Sequence, residues 1–238
     1  MPTKKEPLVQ KHPLANGASV DISRNDNHQY WVDDGPKMKS VTSIIKHVEG
    51  DTFGVGMNWA LKVVRENNGN LNAPRKATKD SQTIGNNLHE AIDNYIKHGT
   101  ITEDDPLFLA WFKVGQTLQF IGSEKFLYHP RLKYGGTADA FSLSSSGGVS
   151  IHDWKTVAPE SWHRYGPSLR INKDTAQLSA YADALRAMGS VWVPTRGYIT
   201  YVLRDASSAV VIEADLRHGL KLFTASRELF LLTEGDQE

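Results

Sequence analysis

The 238-residue sequence contains no cysteine. Disulfides, thiolate-held zinc, an iron–sulfur cluster and a thiol nucleophile are thereby excluded. No run approaches the ~18 apolar residues of a membrane helix, and Met1 to Gln10 is polar, without the apolar centre of a secretory leader. These absences suggest an intracellular chain with no membrane partner. A dominant charge is missing too. The 27 Lys and Arg balance the 27 Asp and Glu, so no global positive field announces a nucleic-acid partner. Internal repeats, coiled-coil heptads and a domain linker are also lacking, so one domain over residues 1–238 is expected.

What is present is concentrated in the middle. Between Trp111 and Arg204 there are 11 basic and 6 acidic residues, and from Asp205 onward 3 and 7. Within the basic stretch, residues 134–156 read YGGTADAFSLSSSGGVSIHDWKT. The pattern predicts strands over Tyr134 to Leu143 and Val149 to Thr156, joined by a Ser/Gly turn. Strand side chains alternate, so Asp153 and Lys155 share a face opposite Trp154, and a hairpin brings Asp139 beside them. Two carboxylates and an ammonium on one face suit a divalent metal holding a phosphate ester. Taken alone, Asp-x-Lys is an ordinary surface ion pair. Gly135 and Gly136 before Asp139 would let a backbone or a DNA phosphate approach closely.

The remaining elements follow from periodicity. Residues 1–17 read as a loosely packed arm, followed by a strand at His28 to Val32. Ser40 caps a helix carrying Val41, Ile44, Ile45 and Val48, with Gly50 as its stop. A helix over Gly56 to Glu66 is expected to bury Trp59 and Val63, and Asn67 to Asp80 reads as a polar surface loop. Gly85 to His98 has an apolar stripe of Leu88, Ala91, Ile92, Tyr95 and Ile96, with His89 at its edge. His89-Glu90 does not begin a zinc-protease helix, because Asp93 stands where the second His belongs. Pro106 to Ile121 reads as helix and Glu124 to His129 as strand. Asp174 or Thr175 caps a helix to Met188, on which Gln177 and Tyr181 lie one turn apart. Strands at Arg196 to Leu203 and Ala209 to Glu213 precede a helix over Asp215 to Thr233. Helices flanking a central mixed sheet make an α/β or α+β domain.

Four of these segments, in order, are Leu88-His89, Gly136-Thr137-Ala138-Asp139, Asp153-Trp154-Lys155-Thr156 and Gln177-Leu178-Ser179-Ala180-Tyr181. The set resembles the PD-(D/E)XK nuclease superfamily, in its RecB-like exonuclease branch. Ser40-Val41-Thr42 and the Trp59 helix also resemble phage and mitochondrial-type members. The resemblance implies a restriction-endonuclease-like core over 85–204, with 1–84 as an N-terminal extension and 205–238 as a closing strand and helix. It further implies a hydrolase acting on DNA ends in replication, recombination, repair or recycling, in a host cytoplasm if phage-encoded. A replication or recombination protein would then be a natural partner.

By the same resemblance Asp139, Asp153, the Trp154 carbonyl and His89 would hold Mg²⁺ or Mn²⁺. Asp139, Asp153 and Lys155 would be catalytic, and Gln177 and Tyr181 would hold the DNA backbone or the lysine. Glu90 and Glu124 are further candidate ligands or supports. Arg164, Arg170 and Lys173 suit phosphates, with Trp162 or Tyr165 stacking on an unpaired base. Many relatives carry four cysteines for an iron–sulfur cluster, which this chain cannot build. The alternatives are a structure-selective flap or branch endonuclease, a catalytically silent DNA-binding module, or an α/β protein with an accidental motif. Polarity, strandedness, metal count and oligomeric state do not follow from residue types.

Overall fold

A computed structural model describes residues 6–49, 55–144 and 147–234. The expected stop at Gly50 lies outside these residues. Two sheets form. The smaller is antiparallel, built from β1 (Leu8–Pro13), β2 (Ser19–Arg24) and β3 (Tyr30–Val32). Residues read as a loose arm are thus a strand. Its anchor is His12, whose ring bonds the Phe126 carbonyl at 3.1 Å and the Ser190 hydroxyl at 2.8 Å.

The larger sheet contains β4 (Lys39–Ser40), β5 (Gln119–His129), β6 (Tyr134–Leu143), β7 (Val149–Val157), β8 (Arg196–Leu203) and β9 (Ala209–Ala214). Strand order is β4-β6-β7-β8-β9, with β5 also on β6. The β4–β6 and β7–β8 pairs are parallel; β5–β6, β6–β7 and β8–β9 are antiparallel. The protein is a mixed α/β fold with a central mixed sheet flanked by helices.

The helices are α1 (Val41–Glu49), α2 (Val55–Glu66), α3 (Ala73–His98), α4 (Pro106–Gly115), α5 (Pro159–Tyr165), α6 (Ile171–Ala187) and α7 (Leu216–Glu234). Ser40 caps α1, its hydroxyl accepting the Ser43 amide at 3.0 Å. The parallel β7–β8 pair requires a long crossover, and α5 and α6 supply it. One core cluster joins the sheet to α1, α6 and α7 through residues such as Phe141, Ile151, Leu178, Ile199 and Phe223. The second joins the opposite face to α3 and α4 through Leu88, Ile92, Phe108, Trp111 and Trp154.

Four local expectations change. Residues 73–80 belong to α3 rather than a loop, with Pro74 in its first turn, where a missing N–H costs nothing. That half of α3 buries only Ala73, so no apolar stripe announces it. Helix α4 stops at Gly115, and Gln119 begins β5. Trp59 is 44% exposed rather than buried. Asp174 lies inside α6 instead of capping it, buried and accepting the Tyr201 hydroxyl at 2.9 Å.

Candidate active site

The site lies where two strands part. The β6–β7 ladder runs from Leu143↔Val149 to Ala140↔His152 and then stops. Beyond it the Asp139 side chain replaces the missing backbone partner, its Oδ2 accepting the Trp154 amide at 2.8 Å. Further along, β4 pairs with Tyr134 and Gly135. Because β5 covers the other edge of those same residues, β4 takes the edge that β7 has left. The divergence leaves Gly136 to Asp139 without a strand partner on that edge, and Asp139 turns its side chain into the gap.

Alternation on β7 puts Asp153 and Lys155 on one face and Trp154 on the other, packed against Trp111. Lys155 Nζ donates to Asp153 Oδ1 at 2.8 Å and stands 2.7 Å from Oδ2. The Oδ2 contact is ionic rather than a directed hydrogen bond, so that buried oxygen keeps unused lone pairs. Gln177 Nε2 donates to the same Oδ1 at 3.0 Å and to the Tyr181 hydroxyl at 3.2 Å, while Gln177 Oε1 is 3.5 Å from Nζ. One helical turn on α6 thus brings Gln177 to the carboxylate and lysine and sets the Tyr181 hydroxyl against Gln177.

His89, on α3, reaches the Trp154 carbonyl through Nε2 at 2.9 Å. Its Nδ1 lies 3.6 Å from Asp139 Oδ1 and 3.9 Å from Glu124 Oε1. Among the described residues His89, Glu124 and Asp139 form the one group of three metal-binding types whose ligand atoms all lie within 4.8 Å. Glu124, a lesser candidate from sequence, joins because the β5–β6 register sets it opposite Asp139, between Ser123↔Ala140 and Lys125↔Ala138. Two carboxylates and one imidazole, with Asp153 and a carbonyl beside them, fit Mg²⁺ or Mn²⁺.

The electrostatics are those of an acidic site short of positive charge. Burial raises the pKa values of Asp139 and Asp153, and the cations His89 and Lys155 oppose the rise. Burial disfavours charge on His89, but Asp139 and Glu124 outweigh it and lift its pKa to about 9. For Lys155, burial is outweighed by Asp153, Asp174 and Asp139, so its pKa stands above the ordinary lysine value. Protonated His89 and Lys155 hold the carboxylates together. A divalent cation would displace the His89 proton and take over that task.

His89, Glu124, Asp139 and Lys155 line a cleft of about 1010 Å³, while Asp153 is buried. Arg170, Lys173, Gln177 and Tyr181 line it, and Glu90 lines it from an exposed position on α3. Arg164 does not: it is exposed on α5 with its guanidinium 5.2 Å over the Tyr165 ring. Trp162, half-buried, packs on Tyr201 at 5.2 Å between centroids. The two glycines before Asp139 admit protein rings rather than a phosphate. A side-chain carbon on Gly135 would stand 2.6 Å from Tyr30 Cβ, and one on Gly136 would collide with the Tyr181 ring.

One wall was not legible in the sequence. Arg24 and Tyr30, paired across β2 and β3, both bond Thr137 Oγ1, at 3.2 and 2.9 Å, and line the cleft. Their strands are short, and nothing local ties them to a sheet more than a hundred residues away.

Comparison with known proteins adds little to this geometry. No protein-family model and no curated protein matches the sequence. Among solved structures, one titled "Crystal structure of SSO0001" is similar at 15% identity and a TM-score of 0.40, covering 80% of this chain and 75% of that one.

Proposed function

We propose that the protein is a metal-dependent deoxyribonuclease that hydrolyses phosphodiester bonds from DNA ends. One observation carries the reading: Asp139, Lys155 and the buried Asp153 that Lys155 bonds come together where β6 and β7 part, and Asp139 and Lys155 line a cleft with Arg170 and Lys173. That is the arrangement the PD-(D/E)XK resemblance implies. Asp139, Asp153, His89 and Glu124 would hold Mg²⁺ or Mn²⁺. When bound, such an ion supplies a polarised phosphate and a water acidified enough to attack.

The chain's own groups have separable tasks. The carboxylates around Lys155 favour its charged form, so it would position the attacking water or offset charge developing on the phosphate. Gln177 orients that ammonium by bonding Asp153 on one side and Tyr181 on the other. Tyr181, with a pKa raised well above the usual value by burial, remains a neutral donor. Arg170 and Lys173 would pair with backbone phosphates, binding DNA without reading its sequence.

The test is digestion of end-labelled linear single strands, linear duplexes and covalently closed circles, each with Mg²⁺, Mn²⁺ or EDTA. Loss of linear DNA with survival of circles, only with metal, is expected. Cut circles would instead favour a flap or branch endonuclease. No cutting of any substrate would leave the silent binding module.

A further inference from the structure

Glu124 is the candidate ligand with the least conventional backbone. It sits within the eleven-residue strand β5 yet has φ 49°, a left-handed conformation that a non-glycine residue holds only when its surroundings impose it. Its side chain is 31% exposed and its Oε1 lies 3.9 Å from His89 Nδ1. The direction in which that side chain leaves the strand is set by the backbone beneath it.

Two contacts brace this backbone. On one side, Ser123 Oγ donates to Asp93 Oδ1 at 2.6 Å, tying β5 to the helix that carries His89. On the other, Gln10 of β1 uses both ends of its amide. Its Nε2 donates to the Glu124 carbonyl at 2.8 Å, and its Oε1 accepts the Phe126 amide at 3.0 Å. The side-chain amide thereby stands in for a neighbouring strand beside the left-handed residue of β5. Two residues along β1, His12 fixes the Phe126 carbonyl.

We propose that Gln10 is a positioning residue of the metal site: its amide holds the left-handed turn at Glu124 and so keeps the Glu124 carboxylate beside His89 and Asp139. This rests on the metal-site reading above. The N-terminal sheet is then part of the site's support, since outer-shell partners of this kind typically change metal affinity by about 10- to 100-fold.

The experiment is calorimetric titration of Mn²⁺ into the full chain as wild type, Gln10→Met, Glu124→Gln and the double variant, with thermal melting of each. Met keeps the volume and removes both hydrogen bonds. Gln10→Glu is the second variant: it keeps an oxygen acceptor for Phe126 and loses the donor to Glu124, so it is read if Gln10→Met fails to fold. The expected result is about tenfold weaker Mn²⁺ binding in the Gln10 variant, no further loss when it is combined with Glu124→Gln, and a folded protein throughout. Wild-type affinity in a folded Gln10 variant would overturn the proposal alone. Equal losses with and without Glu124 would also overturn it, because Gln10 would then act elsewhere. A wild type that binds no Mn²⁺ would overturn both this proposal and the reading beneath it.

Discussion

Replacing Lys155 by methionine isolates what the ammonium does, because methionine keeps much of the stem's volume and removes the charge. In the wild type Nζ lies within 2.8 Å of both Asp153 oxygens, and the Asp153 side chain is only 1% exposed. The variant leaves that carboxylate with Gln177 Nε2 at 3.0 Å as its remaining hydrogen bond from a side chain. Removing one partner of a buried ion pair costs about 3–5 kcal/mol when the other stays charged. Asp153 has an escape, since burial and Asp139 already push its pKa upward and it will take up a proton instead.

The penalty is therefore pH-dependent, with a definite sign. The folded variant binds a proton that the unfolded chain releases near the ordinary aspartate pKa, so its stability falls as pH rises through the folded value. For a chain of this length ~3 kcal/mol corresponds to a drop of about 6–12 °C in Tm. Thermal melts in EDTA should show that drop at pH 8 and a smaller one at pH 5. At saturating Mn²⁺, kcat should fall about 100- to 1000-fold for loss of one transition-state donor, while Mn²⁺ still binds. A destabilisation independent of pH would mean that Asp153 does not take up the proton, and wild-type turnover would mean that the ammonium has no part in catalysis.

Two further predictions concern the supports of the site. Gly136→Ala would drive a methyl group into the Tyr181 ring and, through Gln177, disturb Asp153. Overpacking of this kind costs about 1–3 kcal/mol. Melting should show that loss together with reduced turnover, and a wild-type melt would mean that the ring is not held as described. His152 is buried beside Trp154, bonded to Ser142 at 2.7 Å, with its pKa lowered by burial to about 4. The unfolded chain binds that proton first, so stability present above pH 6.5 is lost as pH falls toward 4. His152 alone accounts for up to about 3 kcal/mol of that loss. Urea midpoints at pH 7 and 5 should differ more in the wild type than in His152→Gln, and equal differences would contradict the assignment.

The parts of this molecule that were legible in the sequence are those whose signal is local. Alternation and a Ser/Gly turn mark the β6–β7 hairpin, and with it the proximity of Asp139, Asp153 and Lys155. A helical spacing places Gln177 and Tyr181 on one face of α6. The parts that were not legible depend on contacts distant in the chain. Gly135 and Gly136 make room for rings from residues 30 and 181, which no neighbouring residue announces. The polar β1 buries only His12, so it reads as an arm until Phe126 and Ser190 are beside it. Glu124 takes a left-handed backbone with no glycine to signal it, and its nearness to Asp139 is a matter of strand register.

The most direct test of the central claim compares wild type with Asp153→Asn on end-labelled linear DNA, in Mg²⁺, Mn²⁺ and EDTA. The account predicts cleavage by the wild type only with metal, and loss of that cleavage in a variant that still folds. Cleavage that survives EDTA, or that Asp153→Asn leaves unchanged, would contradict it.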